Sequence, residues 1–173
     1  MFARDTPLFP AMDPGLRAKI FSTMCSALER LRTEYDVVIV EGAGNPTDVG
    51  EGDLTNRELA QRFDIATVLI TKLSAGGGIA SLVGTYQLLP EHARKRVVGY
   101  VLNDLLDGTS FAEGLASQAS ARLGIACLGV LPNLWAIRPW RTREEELDGL
   151  ADLVESHIDV DALGFGARRK YAS

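Results

Sequence analysis

Acidic and glycine residues follow the first strongly apolar run of this sequence. The run DVVIV, residues 36–40, leads directly into Glu41-Gly42-Ala43-Gly44. A carboxylate at the end of a strand can hold a hydrated magnesium ion, which takes only one or two protein carboxylates and keeps several waters. Gly42 and Gly44 have no side chains, so a ligand can approach the backbone there. The plainer alternative is a strand-end acid followed by a glycine turn.

A lysine and a run of glycines follow the second apolar segment, IATVLIT, at residues 65–71. Lys72 comes directly after it, and Gly76, Gly77 and Gly78 precede a helical pattern. The N–H groups at a helix N-terminus, together with the helix dipole, suit an anion such as a phosphate or carboxylate. Lys72 would add a positive charge. The alternative is a flexible glycine connection with no ligand.

An asparagine ends the third apolar segment, residues 97–103. The side-chain amide of Asn103 carries both a hydrogen-bond donor and an acceptor, which suits the edge of a nucleotide base. The alternative is a turn or cap residue, a common role of Asn after a strand.

Short apolar runs alternate with helical patterns along the chain. This alternation predicts right-handed βαβ crossovers and an α/β fold, a three-layer parallel sheet of about four strands. In such a sheet, ligands bind beyond the carboxyl ends of the strands, where the candidate residues lie. The predicted strands are 36–44, 65–71, 97–103 and 125–131, and the predicted helices are 14–33, 55–63, 78–89, 109–123 and 144–158.

The composition is that of a water-soluble globular chain. Its 173 residues are 46% apolar and 24% charged, and the net charge is −5. We expect one α/β domain over residues 1–160 and a C-terminal tail over 161–173. The negative charge argues against nucleic acid and anionic membranes as partners. No apolar run reaches the ~18 residues of a membrane span, and no secretory signal begins the sequence, so we expect a cytoplasmic protein.

Several segments together resemble a known family. VVIVEGAGNP, DLTNRELA, GGGIASLVGTYQLLPEHARKRVVGYVLN and LGIACLGVLPNL are similar, in this order and spacing, to the ATP-binding synthase domain of cobyric acid synthase. The likeness covers roughly residues 20–134. Together with cobyrinic acid a,c-diamide synthase and dethiobiotin synthetase, that family implies a P-loop NTPase-like fold. It also implies that Mg-ATP activates a carboxylate for attack by an amine or ammonia.

The resemblance implies roles for individual residues. Glu41 would be the magnesium-binding acid, and Asn103 would recognise adenine. Asp53 and Asn56 would lie in the loop that faces the substrate and the phosphates.

The sequence also departs from the family. Lys72, Ser74 and Ala75 stand where cobyric acid synthases carry an acidic pair and an arginine before the double glycine. The family begins with a strand, a GxxxxGK[ST] loop and a helix, but no lysine of this sequence follows a glycine. We therefore expect a fold without that first strand-loop-helix unit, and without the family's glutamine amidotransferase domain. A homodimer or a partner chain would supply the P-loop or the amidotransferase.

Two functions follow from this interpretation, and the sequence leaves both open. The first is a partial or split ATP-dependent amide ligase of cobalamin-type biosynthesis, with Mg-ATP as cofactor and a small-molecule or corrinoid carboxylate as substrate. The second is a noncatalytic nucleotide- or partner-binding regulatory module that has lost the phosphate loop.

Overall fold

A computed structural model describes most of the chain, as two compact units, Met1–Ile65 and Ala66–Ser173. The expectation of a single domain over residues 1–160 stays a prediction. In the expected tail, Asp161–Leu163 form a 3₁₀ turn, and the rest lies outside the described residues. The described ranges are 13–42, 44–47, 53–106, 109–133 and 142–163.

The first unit contains two helical segments, as predicted. Helix α1, Pro14–Glu34, begins where the Asp13 carboxylate accepts a hydrogen bond from the N–H of Leu16, at 2.9 Å. Such N-caps satisfy backbone donors that have no partner within the helix. A π-helical turn, Leu54–Leu59, continues into helix α2, Ala60–Phe63.

The predicted strand at 36–44 is wrong. Its described residues, 36–42 and Gly44, belong to no strand, and the side chain of Ile39 is 83% exposed. A β-strand needs a neighbour for its N–H and C=O groups. No described residue of the first unit lies in a strand, so the sheet of the described chain has three strands instead of about four. The β-branched residues of the segment favour extended backbone, but they do not supply that neighbour.

The second unit is an α/β sheet, as predicted. Its parallel strands lie in the order β1, β2, β3, and helices flank them. The strands are β1 (Thr67–Lys72), β2 (Val97–Leu105) and β3 (Cys127–Pro132); the helices are α3 (Gly78–Leu88), α4 (Glu91–Arg94), α5 (Thr109–Leu123) and α6 (Arg143–His157). Only the short helix α4 was not expected. No helix in the described ranges is long and apolar enough to span a membrane.

The core of this unit lies between the sheet and helices α3 and α5. Tyr100 and Leu102 of the central strand are completely buried. The Tyr100 hydroxyl donates to the carbonyl of Ala116 at 2.7 Å and lies 2.8 Å from the hydroxyl of Ser120. This polar tie joins strand β2 to helix α5. The rest of the buried cluster is apolar: Leu69, Leu82, Leu89, Val97, Ala119 and Leu123.

Candidate functional site

The carboxyl ends of the three strands meet at one edge of the sheet. Lys72 is the last residue of β1, and its Cα pairs in register with that of Asn103 in β2. Backbone hydrogen bonds continue beyond this pair. The Leu73 N–H donates to the Asn103 carbonyl at 2.9 Å, and the Asn133 N–H donates to the Leu105 carbonyl at 2.8 Å. The end of β2 is therefore tied to both neighbouring strands.

The central strand is irregular at this edge. Its register with β3 passes from Leu102 paired with Val130 to Leu105 paired with Pro132. Three steps along β2 thus match two along β3, which is a β-bulge at Asn103 and Asp104. Asp104 has a φ of +64°, in the left-handed region that few residues other than glycine adopt.

Asp104 binds side chains from both neighbouring segments. Its Oδ2 lies 3.1 Å from Nζ of Lys72 and accepts a hydrogen bond from the Ser74 hydroxyl. Its Oδ1 accepts one from the Asn133 amide. The hydrogen bond from Ser74 is the main cause that lowers the pKa of Asp104; Lys72 and Asn133 lower it further, and desolvation opposes them. We call Asp104, Lys72, Ser74 and Asn133 the tip cluster.

Sequence reasoning missed the tip cluster. Lys72 was singled out as a ligand for anions, whereas the structure pairs its ammonium with Asp104. One signal in the sequence could have indicated the cluster: the pair Asn103-Asp104 directly follows an apolar run. Apart from glycine, Asn and Asp are the residues that best tolerate a left-handed turn.

Asn103 lies at the same edge of the sheet, and its contact with a ligand stays a prediction. Its side chain is half-buried, and in the described part of the chain its amide makes no hydrogen bond. Polar groups of this kind usually have partners when they are buried. The amide is thus available to a ligand at the edge of the sheet.

The loop between β1 and α3 contains glycines in the left-handed backbone conformation. Gly76 and Gly77 have φ values of +74° and +70°, and Gly77 precedes α3 without a side-chain cap. At Gly78 an added Cβ would lie 2.5 Å from the Lys72 carbonyl oxygen, so the loop packs closely on the end of β1. Binding of an anion by Lys72, Gly76 and Gly77 stays a prediction.

In the first unit, the backbone at Gly42 lies against the π-helical turn that precedes α2. A Cβ added to Gly42 would lie 1.5 Å from Oδ1 of Asn56, so the backbone after Glu41 contacts the Asn56 side chain. Gly44 has a φ of +67°, in the left-handed region. Ala43 lies outside the described residues.

Asp53 is the buried acid of this first unit. It is only 5% exposed, and its Oδ1 accepts a hydrogen bond from the Asn56 N–H at 2.8 Å. Its Oδ2 is also buried, and no described residue gives it a hydrogen bond. A buried carboxylate oxygen without a donor is costly unless a cation or a bound ligand satisfies it. Gly42, Asp53 and Asn56 are thus brought together, and Glu41 adjoins them in the chain.

The chain is similar in sequence to several known proteins. The family model described as AAA domain matches residues 9–140. The chain is 38% identical to the cobyric acid synthase of a Sinorhizobium species over 125 residues, 70% of this chain and 26% of that relative. It is 38% identical to that of Rhizobium meliloti over 121 residues, 68% of this chain and 25% of the relative. With that of Clostridium acetobutylicum it shares 37% identity over 106 residues, 60% of this chain and 22% of the relative.

The chain therefore spans about a quarter of the length of the curated relatives it matches. The match to the family model covers most of the chain, including the strand ends at which the candidate residues lie. The chain belongs to the AAA domain family and is a cobyric acid synthase-like nucleotide-binding domain.

Proposed function

We propose that this chain is the nucleotide-binding part of an ATP-dependent amide ligase of the cobyric acid synthase type. The observation that carries the proposal is the amide of Asn103 at the carboxyl edge of the central strand, which has no hydrogen-bond partner among the described residues. Ligands of open α/β sheets bind at this edge. The similarity to cobyric acid synthases supports the choice of reaction.

In the proposed reaction, a carboxylate oxygen of the substrate attacks the γ-phosphorus of ATP, and ADP leaves. An amine or ammonia then displaces phosphate from the acyl phosphate, which forms the amide. The substrate is a small-molecule or corrinoid carboxylate. Asn103 would accept a hydrogen bond from the exocyclic amine of adenine and donate one to a ring nitrogen, a pairing that Asn forms with adenine elsewhere.

The first unit has residues that fit a magnesium ion. Asp53 offers a buried carboxylate oxygen with no donor among the described residues, and Glu41 adjoins the turn that contacts Asn56. The described residues contain no cluster of three or more His, Cys, Asp or Glu for a metal. Glu41 and Asp53 would therefore hold the ion together with water, as is usual for Mg²⁺. When bound, magnesium supplies positive charge that offsets the charge developing on the phosphates.

The ligase also needs groups that this sequence does not offer. No lysine follows a glycine in the 173 residues, so we propose that a GxxxxGK[ST] loop comes from another segment or a partner chain. The ammonia source would likewise be another segment or a partner chain. The cytoplasm, where ATP is available, would be the place of the reaction.

Nucleotide binding can be tested on the chain as it is. In ¹H–¹⁵N NMR spectra, millimolar Mg-ATP should shift the side-chain amide resonances of Asn103, and Mg-GTP should shift them much less. Asn103→Ala should abolish the difference in affinity between the two nucleotides. Gln87→Ala removes an exposed amide from α3 and should change nothing. The proposal is overturned if ATP leaves Asn103 unperturbed or if ATP and GTP act alike.

The noncatalytic regulatory module remains the second candidate. It is favoured by the pairing of the Lys72 ammonium with Asp104, 3.1 Å away, because a lysine held in this way is less available to a phosphate. Magnesium-dependent ATP hydrolysis by the purified chain would exclude this candidate. Turnover that appears only with a GxxxxGK[ST]-bearing partner, and that Glu41→Ala abolishes, would support the ligase. Turnover unaffected by Glu41→Ala would count against it.

A further inference from the structure

We propose that Asp104 is a positioning residue, which holds the bulged end of β2 so that the Asn103 amide meets the nucleotide base in one orientation. This inference rests on the proposed function, because it takes Asn103 as the residue that recognises the base. Asp104 itself would act through Asn103 and would not contact the nucleotide.

Asp104 connects three segments at the edge of the sheet. The Asp104 carboxylate contacts the end of β1 through Lys72, the β1–α3 loop through Ser74 and the segment after β3 through Asn133. Its side chain is only 15% exposed. One carboxylate therefore joins the ends of all three strands of the described sheet.

Asp104 also lies in the bulge at the end of β2. The extra residue of β2 lies between Leu102 and Leu105, and Asp104 takes the left-handed conformation there. Bulges commonly redirect a side chain close to a binding site. The direction of the Asn103 side chain thus depends on the conformation that its neighbour is held in.

The Asn103 side chain has no anchor of its own among the described residues. In the described residues its amide makes no hydrogen bond, and only its carbonyl is held, by the N–H of Leu73. A side chain that must present a donor and an acceptor in fixed positions needs support from residues around it. The tip cluster is directly adjacent and supplies that support through Asp104.

The test uses Asp104→Asn. Asparagine has nearly the same shape and also tolerates a left-handed φ, but it removes the charge paired with Lys72 and replaces one acceptor oxygen with a donor. The matched control is Asp64→Asn at the end of α2. Asp64 is the other non-glycine residue with a positive φ in the described ranges, at +51°.

Two measurements are made on each full-length protein. Without ligand, NMR should show that Asp104→Asn shifts and broadens the side-chain amide resonances of Asn103. With nucleotide, the ratio of ATP affinity to GTP affinity should fall about tenfold, the scale of one lost base contact. Asp64→Asn should leave both measurements as in the wild type.

These measurements distinguish failure of the inference about Asp104 from failure of the proposed function. If Asp104→Asn leaves the Asn103 resonances of the ligand-free protein unchanged, the inference is overturned, whatever ATP does. A lower melting temperature with unchanged resonances and an unchanged ATP:GTP ratio would also overturn it, because the role would then be structural alone. If ATP fails to perturb Asn103 in the wild type, the proposed function fails, while the ligand-free comparison still decides whether Asp104 positions Asn103. Should Asp104→Asn not fold, Ser74→Ala and Asn133→Ala each remove one contact and are judged by the same measurements.

Discussion

Lys72 Nζ and Asp104 Oδ2 lie 3.1 Å apart across the ends of two neighbouring parallel strands. The lysine side chain is 65% exposed, whereas that of the aspartate is 15% exposed. Solvent therefore reaches the lysine of the pair, whereas protein atoms surround most of the aspartate side chain. Its behaviour with pH follows from the aspartate.

Acid should weaken the fold through Asp104. Its pKa in the folded protein is lowered, mainly by the Ser74 hydrogen bond, and the unfolded value is about 3.9. The stabilising contribution is therefore fully present above the unfolded pKa and is lost as the pH falls through the lower folded pKa.

Urea unfolding of the wild type and of Asp104→Asn from pH 7 down to about pH 2.5 measures this contribution. The difference in unfolding free energy should be constant at neutral pH and should shrink below about pH 4. Parallel profiles over the whole range would contradict the assignment.

Any side chain at position 42 should destabilise the first unit. In Gly42→Ala the new Cβ would lie 1.5 Å from Oδ1 of Asn56, so the Asn56 side chain must move. We expect a loss of about 1–3 kcal/mol in the free energy of unfolding.

Gly84→Ala in α3 is the control, because a Cβ there meets nothing within 4 Å. Alanine in a helix interior should stabilise by about 0.5–1 kcal/mol. If Gly42→Ala is also neutral or stabilising, the turn after Glu41 does not lie against Asn56.

Asp53 and Glu41 should both contribute to binding of a divalent cation. We expect Asp53→Asn and Glu41→Gln each to weaken Mn²⁺ binding in the presence of ATP about tenfold. The measurement is the electron paramagnetic resonance signal of free Mn²⁺. Asparagine can still cap the helical segment, so the first variant should fold.

Glu29→Gln removes an exposed carboxylate of α1 and serves as the control. Wild-type Mn²⁺ affinity in both test variants would show that the buried Oδ2 of Asp53 does not bind a cation.

Loss of the buried Tyr100 hydroxyl should cost stability. Tyr100→Phe removes the hydrogen bond from the hydroxyl to the Ala116 carbonyl and should lower the free energy of unfolding by about 0.5–1.5 kcal/mol, the usual net value of one hydrogen bond. Tyr86→Phe is the matched control, because the Tyr86 hydroxyl makes no hydrogen bond in the described ranges. Calorimetric unfolding should show a clear loss for Tyr100→Phe alone; equal effects would contradict the prediction.

Local patterns were sufficient to predict much of the fold. The Asp13-Pro14 start of α1 is encoded by neighbouring residues, and the three strands of the second unit are short apolar runs bounded by polar residues. The segment 36–44 has the same local pattern and forms no strand in its described residues. A pattern shows that a segment can extend, but pairing depends on a partner far away in the sequence.

The site was predictable only in part, for a similar reason. Asn103 and Lys72 stand out because each ends an apolar run. Asp104 accepts hydrogen bonds from Ser74 and Asn133, which are 30 and 29 residues away. It also has a left-handed backbone conformation that the sequence suggests but does not require. The contact of Gly42 with Asn56 is likewise between residues distant in the chain.

The glycine loop after β1 distinguishes between mirror-image amino acids. Gly76 and Gly77 both have positive φ values, and a Cβ built at either one meets nothing within 4 Å. An L-alanine would therefore be strained by the backbone alone, by about 1–2 kcal/mol. A D-alanine introduced by chemical ligation would adopt the same φ without strain and would restrict the unfolded chain. At these two positions, handedness decides which residue the fold accepts, and size does not.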